Sequence, residues 1–94
     1  MNKFDEVYED MTATYEKLEE IMSDLYQHLQ DNPSDDMTRN TLMRLTTVAQ
    51  NMLFSQKGFT SAYADPSIKE VLIDKLDSKT VALEQANENT MTQR

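Results

Sequence analysis

Apolar residues recur over the first thirty positions of the chain with the alternating spacing of a heptad repeat. The intervals are four, three, four, three, four, three and four residues, joining Phe4, Tyr8, Met11, Tyr15, Leu18, Met22, Leu25 and Leu29. A 3.5-residue period predicts an amphipathic helix that packs at a shallow angle against a partner helix. Val7, Ile21 and His28 each precede one of these positions and widen the stripe along one flank. A stripe of this width is typical of a helix bundle.

A proline-containing segment ends this first helix. Pro33 disfavours the helical conformation at the residue before it, so the first helix is predicted over residues 3–31. Ser34 or Asp35 can then cap a second helix, predicted over residues 35–62. So short a turn favours an antiparallel helical hairpin.

A second break separates a third helix from the hairpin. Asp65 is a suitable N-cap and Pro66 a suitable first helical residue, which predicts a helix over residues 66–86. Residues 87–94 are almost entirely polar and are predicted to form a flexible tail. The domain is therefore expected to comprise residues 1–86.

The second helix has apolar residues on two sides. One stripe continues a heptad, interrupted by Gln56, whereas Met43, Leu53 and Phe54 lie elsewhere on the helical wheel and are predicted to face a partner. This helix is either the middle element of a bundle or the contact with another subunit. It either ends near Gly58 or continues to about residue 62. The predicted helix-packing or oligomer interface comprises Phe4, Tyr8, Met11, Tyr15, Leu18, Met22, Leu25, Leu29, Leu42, Leu45 and Met52.

Composition supports an all-α fold. One glycine and two prolines in 94 residues are too few for the turns of a β architecture. We expect a long antiparallel helical hairpin plus a third helix, as a three-helix bundle or an oligomerising hairpin. A chain of this size buries a small share of its surface and is therefore only marginally stable alone. Oligomerisation is a common way to stabilise such a chain.

The net charge of −8 is concentrated in the first helix. Residues 1–31 carry nine acids and two lysines, whereas residues 32–66 carry three acids and three bases. The acids form a solvated face, or a surface that docks a basic partner or mimics nucleic acid. Direct nucleic-acid binding is not expected, because only Arg39, Arg44 and Lys57 approach a basic stripe.

The residue types for catalysis are sparse. The chain has no cysteine and one histidine, His28, so a zinc site would need carboxylates alone beside that side chain. Asp31, Pro33 and Asp35 have the spacing of a calcium loop, but its glycine and closing glutamate positions are Asp36 and Leu42. We therefore expect a protein that is not an enzyme, with no metal and no cofactor.

Residues 8–60 resemble the oligomerisation hairpin of small terminase subunits from tailed phages. The resemblance rests on a long helix, an Asn/Asp/Ser/Pro turn and a second helix with Thr41-Leu42-Met43 followed by Thr46-Thr47. It implies a ring of subunits that recruits viral DNA and regulates the ATP-driven large subunit. No DNA-binding residue is carried over, since the chain lacks a basic cluster. A second, lower-ranked resemblance is to type III secretion needle subunits and their small helical chaperones, through the turn at Asn32 to Asp35.

Two functional hypotheses follow from these patterns. The first is a self-associating helical adaptor that forms homo-oligomers, with DNA packaging as the role implied by the terminase resemblance. The second is an acidic helical chaperone or inhibitor that binds one protein partner. No apolar stretch is long enough to span a membrane, and the first residues contain no apolar signal, so a cytoplasmic protein is expected, in the host cytoplasm if viral.

Overall fold

Three long helices joined by two short turns make up the fold. The computed structural model describes residues 2–92 of the chain, and side chains up to residue 90. Helix α1 spans Lys3–Asp31, α2 spans Asp36–Tyr63 and α3 spans Pro66–Thr92. No strand occurs among these residues, so the predicted all-α, three-helix class is confirmed. The helix α2 continues through Gly58 to its end at Tyr63.

Each helix is preceded by an N-cap residue whose side chain accepts a hydrogen bond from a backbone N–H of the first turn. The Asn2 side chain accepts from the Asp5 backbone N–H at 2.9 Å, and the Asp35 carboxylate accepts from the Thr38 N–H at 3.1 Å. The Asp65 carboxylate accepts from the Ser67 N–H at 2.9 Å. These caps satisfy N–H groups that have no partner within the helix, and they explain why the breaks were visible in the sequence.

Helix α3 is longer than its apolar pattern predicted. Residues 87–92 continue the helix, so the predicted polar tail is wrong for these residues, and residues 93 and 94 lie outside the described part of the chain. Thr90 is buried, and its hydroxyl donates to the Ala86 carbonyl at 3.0 Å. Thr90 follows the buried Leu76 and Leu83 at intervals of seven residues, so the same face of α3 packs on the bundle as far as Thr90.

Helix α2 is the central element, since it packs against both α1 and α3. The three helices form an elongated body of 47 × 20 × 15 Å. The phenyl ring of Phe4 contacts that of Phe59, and Met22 contacts Thr46, so α1 and α2 run antiparallel. The core draws on all three helices and comprises Tyr15, Met22, Leu29, Leu42, Ala49, Leu53, Leu76 and Leu83.

The buried stripe of α2 is rotated relative to the heptad expected from its apolar residues. The predicted stripe included Leu45 and Met52, which are only half-buried. The buried positions instead recur at intervals of three and four residues through Arg39, Leu42, Thr46, Ala49, Leu53, Gln56 and Thr60. The central position of α2 explains the rotation, because one stripe must face two helices.

The prediction that Leu53 faces a partner is therefore wrong, since its side chain is 1% exposed within the core. Among the described residues, none of the three helices is long and apolar enough to cross a membrane.

Candidate interaction surfaces

Most of the predicted interface residues are used inside the chain. Four of them, Tyr15, Met22, Leu29 and Leu42, are buried in the core. The remaining residues are half-buried, namely Phe4, Tyr8, Met11, Leu18, Leu25, Leu45 and Met52. The heptad of α1 thus packs against α2 within the hairpin. A surface for a second molecule has to be sought among the exposed residues.

A cluster of aromatic rings lies where α1 begins and α2 ends. The rings of Phe4 and Phe59 stack with centroids 5.1 Å apart and an angle of 11° between their planes. Tyr8 packs against Phe4 at 5.7 Å, and Tyr63 packs against Phe59 at 5.4 Å. Stacked pairs add to the stabilisation from burial alone. The cluster packs the open end of the hairpin, opposite the turn between α1 and α2.

A buried glutamine holds the register of the hairpin. Gln56 is 1% exposed, and its amide Nε2 donates to the Tyr8 carbonyl at 3.2 Å and to the Thr12 hydroxyl at 2.9 Å. A polar group buried at an interior helix position is satisfied only in one alignment of the two helices. The residue that interrupts the heptad in the sequence therefore aligns α1 with α2.

The single histidine belongs to the turn at the other end of the hairpin. His28 Nε2 lies 2.9 Å from Asp35 Oδ2, and the Thr38 hydroxyl donates to the same carboxylate at 2.7 Å. The hydrogen bonds from Thr38, followed by that from His28, lower the pKa of Asp35 to about 2. The buried Arg39 donates to the carboxylate of Asp36 at 2.8 Å and to the carbonyl of Pro33. The contact with Asp35 links His28, near the end of α1, to the N-cap of α2.

A groove of about 450 Å³ separates α1 from α3, with α2 as its floor. It is open because α3 presents the small side chains of Ala82 and Ala86 on this side. The α1 side is formed by Tyr15, Glu19, Met22, Ser23 and Tyr26.

Lys79 lines one part of this groove and reaches across it to Tyr15 on α1. Its ammonium group lies over the Tyr15 ring, 5.4 Å from the centroid, as a cation–π contact. Burial, followed by the nearby charge of Glu19, raises the pKa of Tyr15 to about 12, so its hydroxyl remains neutral at physiological pH. The groove thus offers apolar walls with one acid and one base.

The solvent-facing side of α2 carries unusually little charge. Of its fourteen exposed residues only Asp36 and Arg44 are charged, whereas ten of the eighteen exposed residues of α1 are charged. We call this side the outer face of α2. It comprises Met37, Asn40, Thr41, Arg44, Thr47, Val48, Asn51, Phe54, Ser55, Gly58, Ser61 and Ala62.

Three large apolar side chains are exposed on this outer face. Phe54 is 79% exposed, Met37 is 81% exposed and Val48 is 47% exposed. Val48 also joins Met11 and Met52 around a shallow depression between α1 and α2. Of the three residues predicted to face a partner, Phe54 is exposed, Met43 is half-buried and Leu53 is in the core.

The sequence held a signal for the outer face that the apolar pattern alone did not expose. The neutral charge of residues 32–66 was visible, but its meaning depends on which side of α2 faces solvent.

Among the described residues, no group of three or more His, Cys, Asp or Glu side chains is placed to hold a metal ion. Comparison with protein-family models, with curated proteins and with solved structures gives no match.

Proposed function

We propose that this chain is a non-enzymatic helical assembly protein that self-associates through the outer face of α2. The observation that carries the proposal is the low charge of this face together with its exposed Phe54, Met37 and Val48. Interface cores are depleted in charged residues and enriched in aromatic residues and methionine. Large apolar side chains exposed on a nearly uncharged side of a small protein are typical of an interaction site.

Charge also selects α2 over α1 as the homotypic contact. Residues 1–31 carry a net charge of −7, and most of their acids lie on the exposed side of α1. Two copies joined through α1 would bring these like charges together, which opposes association. Two copies joined through the outer face of α2 keep the acidic helices away from the contact.

The mass of the protein in solution tests this proposal. Analytical ultracentrifugation at tens of micromolar is expected to give a dimer or larger species. Phe54→Ser removes the burial of one large apolar side chain, worth about 1.5–3 kcal/mol, and weakens association at least about tenfold. Val81→Ser is the matched control, because Val81 is 53% exposed on α3 and lies outside the proposed contact. A wild-type protein that stays strictly monomeric would refute the proposal.

The ring of subunits implied by the terminase resemblance is a more specific form of this proposal. A closed ring needs two different surfaces on each subunit, whereas a two-fold dimer uses one surface twice. The groove between α1 and α3 is the surface that supports a second contact. A mass of many subunits, lost when either surface is altered, is the expected result for a ring.

The same groove favours a second candidate function, the binding of one apolar segment of a protein partner by an acidic helical chaperone or inhibitor. Ala86→Trp fills the groove without touching the outer face of α2. A host protein that copurifies with the wild type and is lost with this variant is the expected result. Recovery of the chain alone in both experiments would contradict this candidate.

A further inference from the structure

The outer face of α2 presents a protruding ring and an open gap one helical turn apart. The Phe54 side chain is 79% exposed, and a Cβ added at Gly58 would meet no atom within 4 Å. Residues four positions apart on a helix lie side by side on the same face. The protrusion and the gap are therefore neighbours on one surface, in the only exposed helix side that is almost uncharged among the described residues.

This pair is self-complementary under a two-fold axis. When two α2 helices pack antiparallel with the axis near residue 56, position 54 of each copy lies opposite position 58 of the other. Parallel packing would instead place Phe54 against Phe54 and leave both gaps empty. A glycine in the contact allows the close approach of a neighbouring side chain or backbone.

We propose that a second copy of this chain docks antiparallel on the C-terminal half of the outer face of α2, with the Phe54 ring of each copy in the gap beside Gly58 of the other. This inference rests on the proposed self-association and specifies its geometry. The contact is isologous and closes as a dimer.

The position of Arg44 favours this antiparallel arrangement over a parallel one. Arg44 is the only charged residue among those of the outer face. It lies twelve residues from the axis, so the two Arg44 side chains are roughly 36 Å apart along the helices at 1.5 Å per residue. That distance exceeds the screening length of about 8–10 Å in physiological salt. Parallel packing would place the two guanidinium groups opposite each other.

Single-cysteine variants test the orientation directly, because the natural chain contains no cysteine. Ser55 and Thr41 are matched positions, since both are small exposed hydroxyl residues on the same side of α2, two heptads apart. In the antiparallel dimer the two copies of residue 55 are offset by roughly 3 Å along the helices, and those of residue 41 by roughly 45 Å. A disulfide requires Cα atoms within about 7 Å of each other, so an axial offset of roughly 45 Å excludes linkage whereas one of roughly 3 Å permits it.

Mild oxidation of Ser55→Cys is therefore expected to give a disulfide-linked dimer on a non-reducing gel, and Thr41→Cys is expected to remain unlinked. Linkage of both variants would indicate parallel packing and overturn the geometry. Linkage of neither variant in a protein that ultracentrifugation shows to be dimeric would also overturn it. A monomeric mass would instead remove the proposed function itself, so the two failures are distinguishable.

An exchange of the protrusion and the gap provides the second test. Phe54→Ala leaves two gaps opposite each other, and Gly58→Phe leaves two rings opposite each other, so each single variant is expected to weaken dimerisation at least about tenfold. The double variant Phe54→Ala/Gly58→Phe restores one ring opposite one gap, and its dissociation constant is expected to return to within about threefold of the wild type. Equal far-UV circular dichroism among the four proteins controls for folding. Additive loss in the double variant would overturn the pairing.

Discussion

The rotated stripe of α2 predicts a large difference between two neighbouring apolar residues. Leu53 is 1% exposed in the core, whereas Met52, the heptad position expected from the sequence, is half-buried. We compare Leu53→Ala with Met52→Ala. Leucine and methionine have similar helix propensities, so the two substitutions differ mainly in the packing that each one removes.

The magnitude follows from burial. Truncation of a fully buried leucine to alanine costs about 2–5 kcal/mol, from lost apolar burial and from the cavity that remains. A chain of 94 residues has a free energy of unfolding of roughly 5–14 kcal/mol. A loss of about 3 kcal/mol therefore lowers the Tm by roughly 12–24 °C in a domain of this size. Met52→Ala is expected to cost only about 1 kcal/mol, because much of its side chain already contacts water.

Urea denaturation followed by circular dichroism measures both free energies. The variants and the wild type are compared at one protein concentration, because self-association makes apparent stability depend on concentration. If Met52→Ala proves as costly as Leu53→Ala or more so, the core-facing stripe of α2 is the heptad of the sequence and the packing described above is incorrect.

Three further predictions concern polar contacts. Gln56→Ala is expected to lower the free energy of unfolding by about 2 kcal/mol, because it removes two hydrogen bonds and leaves a cavity. Gln56→Leu fills the cavity and is expected to cost at most about 1 kcal/mol. Equal losses for the two variants in urea denaturation would contradict this role of Gln56. Because the pKa of Asp35 is lowered to about 2 in the folded protein, its contribution to stability is present above pH 4 and is lost as the pH falls from about 4 to about 2. Asp35→Asn keeps a cap acceptor and removes the titration, so the Tm of this variant should depend less on pH in that interval, and a Tm profile parallel to that of the wild type would count against the assignment. Lys57 and Asp77 form an ion pair of 2.8 Å, and their side chains are 43% and 50% exposed. Lys57→Ala is therefore expected to lower the free energy of unfolding by at most about 1 kcal/mol in urea denaturation. A larger decrease would indicate a further role for Lys57.

Local signals in the sequence were sufficient to predict the elements of the fold. The unbroken heptad from Phe4 to Leu29 predicts α1, and the capping residues beside Pro33 and Pro66 predict where α2 and α3 begin. These features act within one or two helical turns, so they can be recognised without knowledge of the neighbouring helices.

Two predictions failed where distant contacts decide the outcome. Residues 87–92 contain one apolar residue and lack an apolar stripe, yet they continue α3, and Thr90 on this segment is buried beside the groove that α1, α2 and α3 form. Leu53 lies off the heptad of α2, yet it is in the core. In each case the neighbouring helix determines which side is buried, and the pattern of one helix does not contain that information.

The sequence by itself thus determined the number of helices, their approximate bounds and the concentration of acids on α1. Only the tertiary structure decided the rotation of α2 about its own axis, because that rotation depends on packing against two helices at once. The same rotation leaves Phe54 and Gly58 together on a nearly uncharged face, which is the feature that supports the proposed assembly. Apolar burial is non-directional and fixes how much surface is covered, whereas the arrangement of the partner helices fixes which surface remains exposed.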